Sequence, residues 1–174
     1  NLNNANFNNS FSQRIDLSGQ NKLNNTKFTN SDLTFARVCN ADIGTVDFRY
    51  STLHLIDFYK ALNIPGANYQ YSTLDNSDFS NAMIENINLS NVSSMSGTKI
   101  IGASASNMIL NCTNVSGSDF SGSTLHYVDF IPVKNLLDSN LKFTSLDFAN
   151  FSDLFIENID FTGVQSMHNT DLST

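Results

Sequence analysis

Residues 31–45 read SDLTF ARVCN ADIGT, three consecutive units of five with one internal order. Each unit opens on a small residue (Ser31, Ala36, Ala41) and carries an apolar residue third (Leu33, Val38, Ile43); in two of them Asp stands between. The same order recurs outward along the chain, at Ala5-Asn6-Phe7, Ser77-Asp78-Phe79, Ser118-Asp119-Phe120 and Ala149-Asn150-Phe151. Cut in this register, residues 5–174 divide without remainder into 28 pentads and 5 hexads, and the third pentad position is apolar in all but one unit, where Ser12 stands. The hexads are residues 20–25, 61–66, 92–97, 133–138 and 164–169, each with an apolar fourth residue: Leu23, Ile64, Met95, Leu136 and Met167. Each hexad is expected to bulge, its fourth residue taking the core place of a third. Residues 1–4 precede the first unit as an N-terminal tail, and 5–174 form one repeat domain.

A longer period lies over the short one. Ile15-Asp16-Leu17-Ser18 returns as Ile87-Asn88-Leu89-Ser90 and again, at the same interval, as Ile159-Asp160-Phe161-Thr162. Ser51-Thr52-Leu53-His54 returns at that interval as Ser123-Thr124-Leu125-His126. Such self-similarity marks duplication of a block of fourteen units.

A period of five fits neither the 3.6 of a helix nor the alternation of a strand. It requires a chain that turns a corner in every unit, with first and third side chains pointing to one interior. Asp or Asn in the second place suits such a corner, because its side chain can bond nearby backbone groups. On these units the chain resembles the pentapeptide-repeat family, whose pattern is A(D/N)LXX. The resemblance implies an all-β fold, a right-handed four-sided parallel β-helix with four pentads per coil, about eight coils and near-zero helix. At a strand spacing of about 4.8 Å the rod would be roughly 40 Å long. The repeat is still in phase at Thr174 with no capping helix, so its ends are expected to stack end to end or to continue into a larger protein. The second is favoured.

Composition agrees with a folded solenoid. The chain has 174 residues, 26 of them Asn and 23 Ser, with only 14% charged. Such polarity alone would suggest disorder, but the 14 Phe fall on the repeat rather than at random. No apolar run approaches the roughly 18 residues of a membrane span, and no signal-peptide pattern stands at the start.

Equivalent positions one coil apart recur at intervals of 20, or 21 where a hexad intervenes, so outward columns can be read. His126, Asp147 and His168 stand in one column. They are either a weak metal or acid–base site or an exposed electrostatic ladder, and His54 beside Asp75 is the matching pair of the earlier block. Nothing in the pattern encloses a pocket, so no catalytic, cofactor or metal residue is assigned and no enzyme activity is expected. Cys39 and Cys112 fall on opposite faces, which argues against a disulfide. There is no phosphate loop, nucleophile elbow or basic stripe for direct nucleic-acid binding.

Two functional readings remain. Some pentapeptide-repeat proteins act as DNA mimics on type II topoisomerases, and the net charge here is −7. A stretch of DNA about 40 Å long carries roughly twenty charges, however. The face bearing Asp16, Asp57, Asp78, Asp119 and Asp160 also bears Arg37, Lys60, Lys99 and Lys142. The other reading is a protein-binding surface. Tyr127 and Phe148 share a corner with Ile131 beside them; Phe35 and Leu55 share another near Tyr59; Tyr50, Phe143 and Phe155 also project outward. Contiguous exposed aromatics mark interfaces. The favoured reading is a non-catalytic scaffold for protein–protein interaction, a module of a larger bacterial protein. In kind it is similar to the repeat regions of secreted effectors, including those preceding HECT-like ubiquitin ligase domains. The alternative is a DNA-mimicking inhibitor or protector of a topoisomerase. Bacterial cytoplasm and export into a host cell are both compatible with the sequence.

Overall fold

In the first unit Asn6 pairs in parallel with Lys27, Lys27 with Asp47, and Asp47 with Asn68, so each pass of chain lies directly on the one before it. The computed structural model describes residues 1–111, 114–133, 135–154 and 156–173. Parallel pairing of this kind runs from Asn6 to Asp171, and helix is confined to a three-residue 3-10 turn, Ile64–Gly66, among the described residues. The register follows the units. The second residue donates its N–H to the first residue's carbonyl one pass below, as Lys27 does to Ala5 (2.9 Å). The third donates to the second residue's carbonyl one pass above, as Phe28 does to Asp47 (2.8 Å). Neighbouring passes thereby satisfy each other's backbone. Residues 1–4 are bonded into this pattern rather than forming a tail: Leu2 donates to the Lys22 carbonyl and Asn4 to that of Asn24.

The corner lies at the fourth and fifth residues, later in the unit than the second-place Asp or Asn suggests. The N–H of the next unit's first residue returns to the third residue's carbonyl, as Ala36 does to Leu33 (2.9 Å), and the fifth residue has φ near +60°. A hydrogen-bonded turn with positive φ at its third place is of type II, which favours Gly or Asn there. The second-place side chain braces the corner from outside. Asp32 Oδ1 accepts the Thr34 N–H at 2.9 Å, and Asp57, Asp119 and Asn150 do the same for Tyr59, Ser121 and Ser152.

Inside, third-place side chains stack in columns. Phe7, Phe28, Phe48 and Tyr69 follow one another with near-parallel rings 4.9, 6.0 and 5.7 Å apart. Phe58 stacks on Phe79 at 4.4 Å and Phe130 on Phe151 at 4.5 Å. Identical side chains one pass apart meet face to face because the backbone repeats almost without offset. First-place residues face the same interior beside the corners; most are small, although Ile56, Ile87 and Met108 are buried there too. Ser and Thr are accepted there because a main-chain carbonyl takes the hydroxyl proton: Ser118 donates to the Met95 carbonyl at 2.9 Å and Ser139 to that of Val115 at 3.1 Å.

In the hexads Leu23, Ile64, Met95 and Leu136 are buried, whereas Met167, in the last pass, is partly exposed. At 92–97 the extra residue is Ser93, which donates to the Ser72 carbonyl while Ser94 takes up the pairing with Thr73. At 61–66 the extra residue is absorbed differently. Asn63 adopts φ 56°, Pro65 follows, and the chain draws so close to the pass below that a Cβ on Gly66 would sit 2.1 Å from the Gly44 carbonyl oxygen. Burial fades at both ends: Phe7, Ile15, Phe161 and Val164 are only partly covered, and Phe11, in the unit whose third residue is Ser12, is almost wholly exposed.

These contacts set the expected responses to substitution. Phe48→Ala should cost about 3–5 kcal/mol, the range for emptying a buried aromatic site, and Phe7→Ala clearly less, measured by denaturant unfolding. Gly66→Ala should destabilise by about 1–3 kcal/mol, since the obstacle is backbone rather than a movable side chain. Acid should act through the corner carboxylates. Hydrogen bonds from Thr162 and Lys142 hold Asp160 down at about 2, and Ser18 and Ser173 likewise lower Asp16 and Asp171 from the ordinary 3.8. A carboxylate with depressed folded pKa stabilises fully above its unfolded value and loses that contribution as pH falls toward the folded one. The melting temperature should therefore be flat above about pH 5 and fall between roughly pH 4 and pH 2.

Candidate functional site

Most residues in left-handed backbone are of types suited to it: among the described residues thirteen Asn, two Asp and six Gly have positive φ. Other corners hold Phe35, Tyr50, Leu55, Tyr71, Tyr127, Phe143 and Phe148, with φ between 56° and 62°. For residues with a bulky Cβ this conformation costs about 1–2 kcal/mol each. All seven are also exposed, from 44% at Leu55 to 59% at Tyr50. Part of the cost is offset by stacking. Tyr127 lies flat on Phe148 (4.7 Å, 3°), Tyr50 on Tyr71 (4.9 Å, 13°), and the Arg14 guanidinium covers Phe35 at 5.1 Å.

Of the residues singled out from sequence, Phe35 and Leu55 share one edge a pass apart, with Tyr59 exposed in the unit that follows Leu55 and the Lys60 ammonium 5.1 Å from its ring. Tyr127 and Phe148 share another edge, and Ile131 is exposed in the next unit. Leu55 and Tyr127 hold equivalent places in the two copies of the duplicated block, half a pass out of phase, so the six residues form two patches rather than one. Tyr71 was absent from the sequence reading, although its place one pass above Tyr50 points to the pair. Exposed Leu62 and Met83, a pass apart in second places, were absent as well. Phe155 lies outside the described residues.

The polar column is assembled as its spacing requires. Asp147 lies between His126 and His168: His126 Nε2 is 3.9 Å from one carboxylate oxygen and His168 Nδ1 is 3.1 Å from the other. Asp147 also accepts hydrogen bonds from the Ser166 hydroxyl and the His168 N–H, in that order the main reasons its carboxyl lies below the usual range. The earlier block repeats the arrangement. Asp75 accepts from the Ser94 hydroxyl (2.5 Å) and the Ser96 N–H (2.9 Å), with His54 Nε2 at 3.4 Å. Both imidazole Nε2 atoms are shielded from solvent yet make no aligned hydrogen bond. Among the described residues no group of His, Cys, Asp or Glu has the geometry to hold a metal ion. Ser18 Oγ lies 2.9 Å from the thiol sulfur of Cys39, a free cysteine; Cys112 lies outside the described residues.

On the acidic face Arg37 sits between Asp16 (3.4 Å) and Asp57 (3.8 Å), and Lys142 bonds Asp160 at 2.9 Å. Among the described residues no helix is long and apolar enough to cross a membrane.

The family model for pentapeptide repeats matches residues 94–131 with eight copies. Among solved structures, a trypsin-treated variant of QnrB1, a plasmid-mediated fluoroquinolone resistance protein, is 18% identical over 92% of this chain and 83% of its own, with TM-score 0.51. Full-length QnrB1 is 16% identical over 91% of each chain (TM-score 0.47). HetL, a pentapeptide-repeat protein involved in heterocyst differentiation regulation in the cyanobacterium Nostoc, is 18% identical over 99% of this chain and 89% of its own (TM-score 0.38). No curated protein matches the sequence. Residues 94–131 thus match the pentapeptide-repeat family, and the chain, with units of five in register throughout, shares its fold with QnrB1.

Proposed function

We propose that this chain is a non-catalytic scaffold whose corner residues bind a protein partner, as a module of a larger bacterial, effector-like protein. Four units per pass are read as a four-sided, right-handed β-helix of about eight coils, which would present its corners as straight edges. The observation that carries the reading is the conformation of the exposed aromatics. Residues that are both strained and solvent-exposed lower stability, and chains keep such residues where function uses them. Phe35, Leu55 and Tyr59 form one binding patch and Tyr127, Ile131 and Phe148 the other; both could take the same partner, since duplication places them at equivalent positions.

DNA mimicry is the weaker reading. The face that would imitate phosphates has basic side chains set among its carboxylates at 3.4, 3.8 and 2.9 Å, which breaks the run of negative charge.

Asparagine at the same corners provides the test, because it tolerates left-handed backbone and removes the apolar surface. Leu55→Asn, which loses no ring stack, should raise stability by up to about 1 kcal/mol. Tyr127→Asn should be near neutral, since relief of strain is set against a lost stack of about 0.5–1.5 kcal/mol. A Phe35→Asn/Leu55→Asn/Tyr127→Asn/Phe148→Asn variant should therefore fold and melt near wild type while losing the partners that wild type acquires by proximity crosslinking in a bacterial or host-cell extract. Identical crosslinked partners for both proteins would overturn the reading.

A further inference from the structure

We propose that the open depression of about 520 Å³ between Asn86 and Tyr127 binds a neutral saccharide, with the Tyr127 ring as its stacking platform. Its lining includes a run of corner residues, Asn86, Asn107 and Tyr127, one pass apart, together with Ile109, its paired neighbour Asp129, and Asn111. Phe148 covers one face of the Tyr127 ring, so the other face is turned toward Asn107 and into the depression. A half-exposed flat ring with one open face matches the C–H face of a pyranose, which is apolar and similarly flat.

The polar groups select the same class. The side-chain amides of Asn86, Asn107 and Asn111 make no hydrogen bond among the described residues, unlike the corner amides of Asn25 and Asn30, which bond Asn4 and Asn9 one pass away. Each unengaged amide offers two donors and an acceptor, the complement of hydroxyls that both give and receive. Asp129 accepts the Ile131 N–H through Oδ1, which leaves Oδ2 to accept from further hydroxyls. Lys and Arg are absent from the lining and one carboxylate is present, in a chain of net charge −7. A phosphorylated or carboxylated ligand, a nucleotide included, would meet no counter-charge there. A large apolar ligand would leave three amides without water or partner. A neutral polyol with an apolar face satisfies both constraints.

This site goes beyond the partner reading and does not need it, although Tyr127 belongs to both surfaces. The 174-residue chain is applied to an array of neutral oligosaccharides built from glucose, galactose, mannose and N-acetylglucosamine, with sialylated and sulfated oligosaccharides and mononucleotides as separate arms. The best neutral binder is then titrated by NMR. An open site of this depth should bind in about the millimolar range or somewhat tighter. Tyr127→Ala and Asn107→Gly should each weaken binding by about tenfold or more; glycine keeps the left-handed corner at 107 without strain, and the Tyr127 variant should still fold, melting somewhat lower for want of its stack. Tyr50→Ala, which removes an aromatic stack on another edge, should leave saccharide binding unchanged. Phe35→Asn/Leu55→Asn should also leave it unchanged even where it removes a protein partner, so the two readings fail separately. Absence of neutral binders at millimolar concentration, binding confined to the anionic arms, or full retention in Tyr127→Ala would each overturn the assignment.

Discussion

The whole structure depends on one backbone requirement, a residue near φ +60° at the end of nearly every unit. With that residue in the left-handed region the next unit's first N–H returns to the third residue's carbonyl and the chain turns within two residues; at Thr45 and Pro132 the same bond forms without it. Because the turn is so short, every side of a pass is the same length and lies on the side below it. The pairing, the ring columns and the charge columns all follow from that equality. The requirement also accounts for the composition. Half of the 26 Asn occupy left-handed positions, where Asn is the best-tolerated residue after Gly, and others brace the corner from the second place.

Much of this was legible in the sequence because the interior is strict. A third-place side chain has a ring or branched side chain of the neighbouring pass directly above and below it, so a polar residue there is excluded except near an end, where Ser12 meets the Ser10 hydroxyl instead. That strictness let the units be counted and His126, Asp147 and His168 be placed in one column. The fifth place was read less well, although Asn76, Asn81, Asn86 and Asn91 recur unit after unit in plain view. A turn residue is chosen by φ, and the sequence shows φ only through Asn and Gly; where Tyr or Phe takes the place, the signal vanishes. Nor could spacing show that Ser166 and Ser94 bond their aspartates, since that depends on rotamers set by the neighbouring pass.

The duplication has a structural consequence of its own. A block of fourteen units, at four to a pass, is three and a half passes, so the second copy repeats the first half a pass out of phase. The arrangement of histidine, aspartate and serine around Asp75 reappears around Asp147 with its hydrogen bonds in the same order. Each copy ties three successive passes together on its own side through a single carboxylate. Exposed ion pairs of this kind contribute little individually. Their geometric role is larger, because the carboxylate ties neighbouring passes together from outside, as the core columns do from within.

The alternatives the chain itself uses decide whether the aromatic corners are structural ornaments or working surface. At other corners an Asn ladder meets the same backbone requirement with no strain to speak of and adds a side-chain bond between passes, as between Asn30 and Asn9 at 2.7 Å. Compared with that, a Tyr or Phe corner adds strain of about 1–2 kcal/mol and leaves roughly half of a large ring in water. Ring stacking recovers about 0.5–1.5 kcal/mol, which at best cancels the strain and leaves the exposure uncompensated. Leu55 lacks even the stack. A solution with lower free energy is thus present many times over in the same chain, one mutation away in kind. That imbalance is what the proposed reading of the aromatic corners as contact surface rests on, and Tyr127, stacked on Phe148 on one side and lining the depression beside unengaged amides, is where the proposed contact has the most defined chemistry.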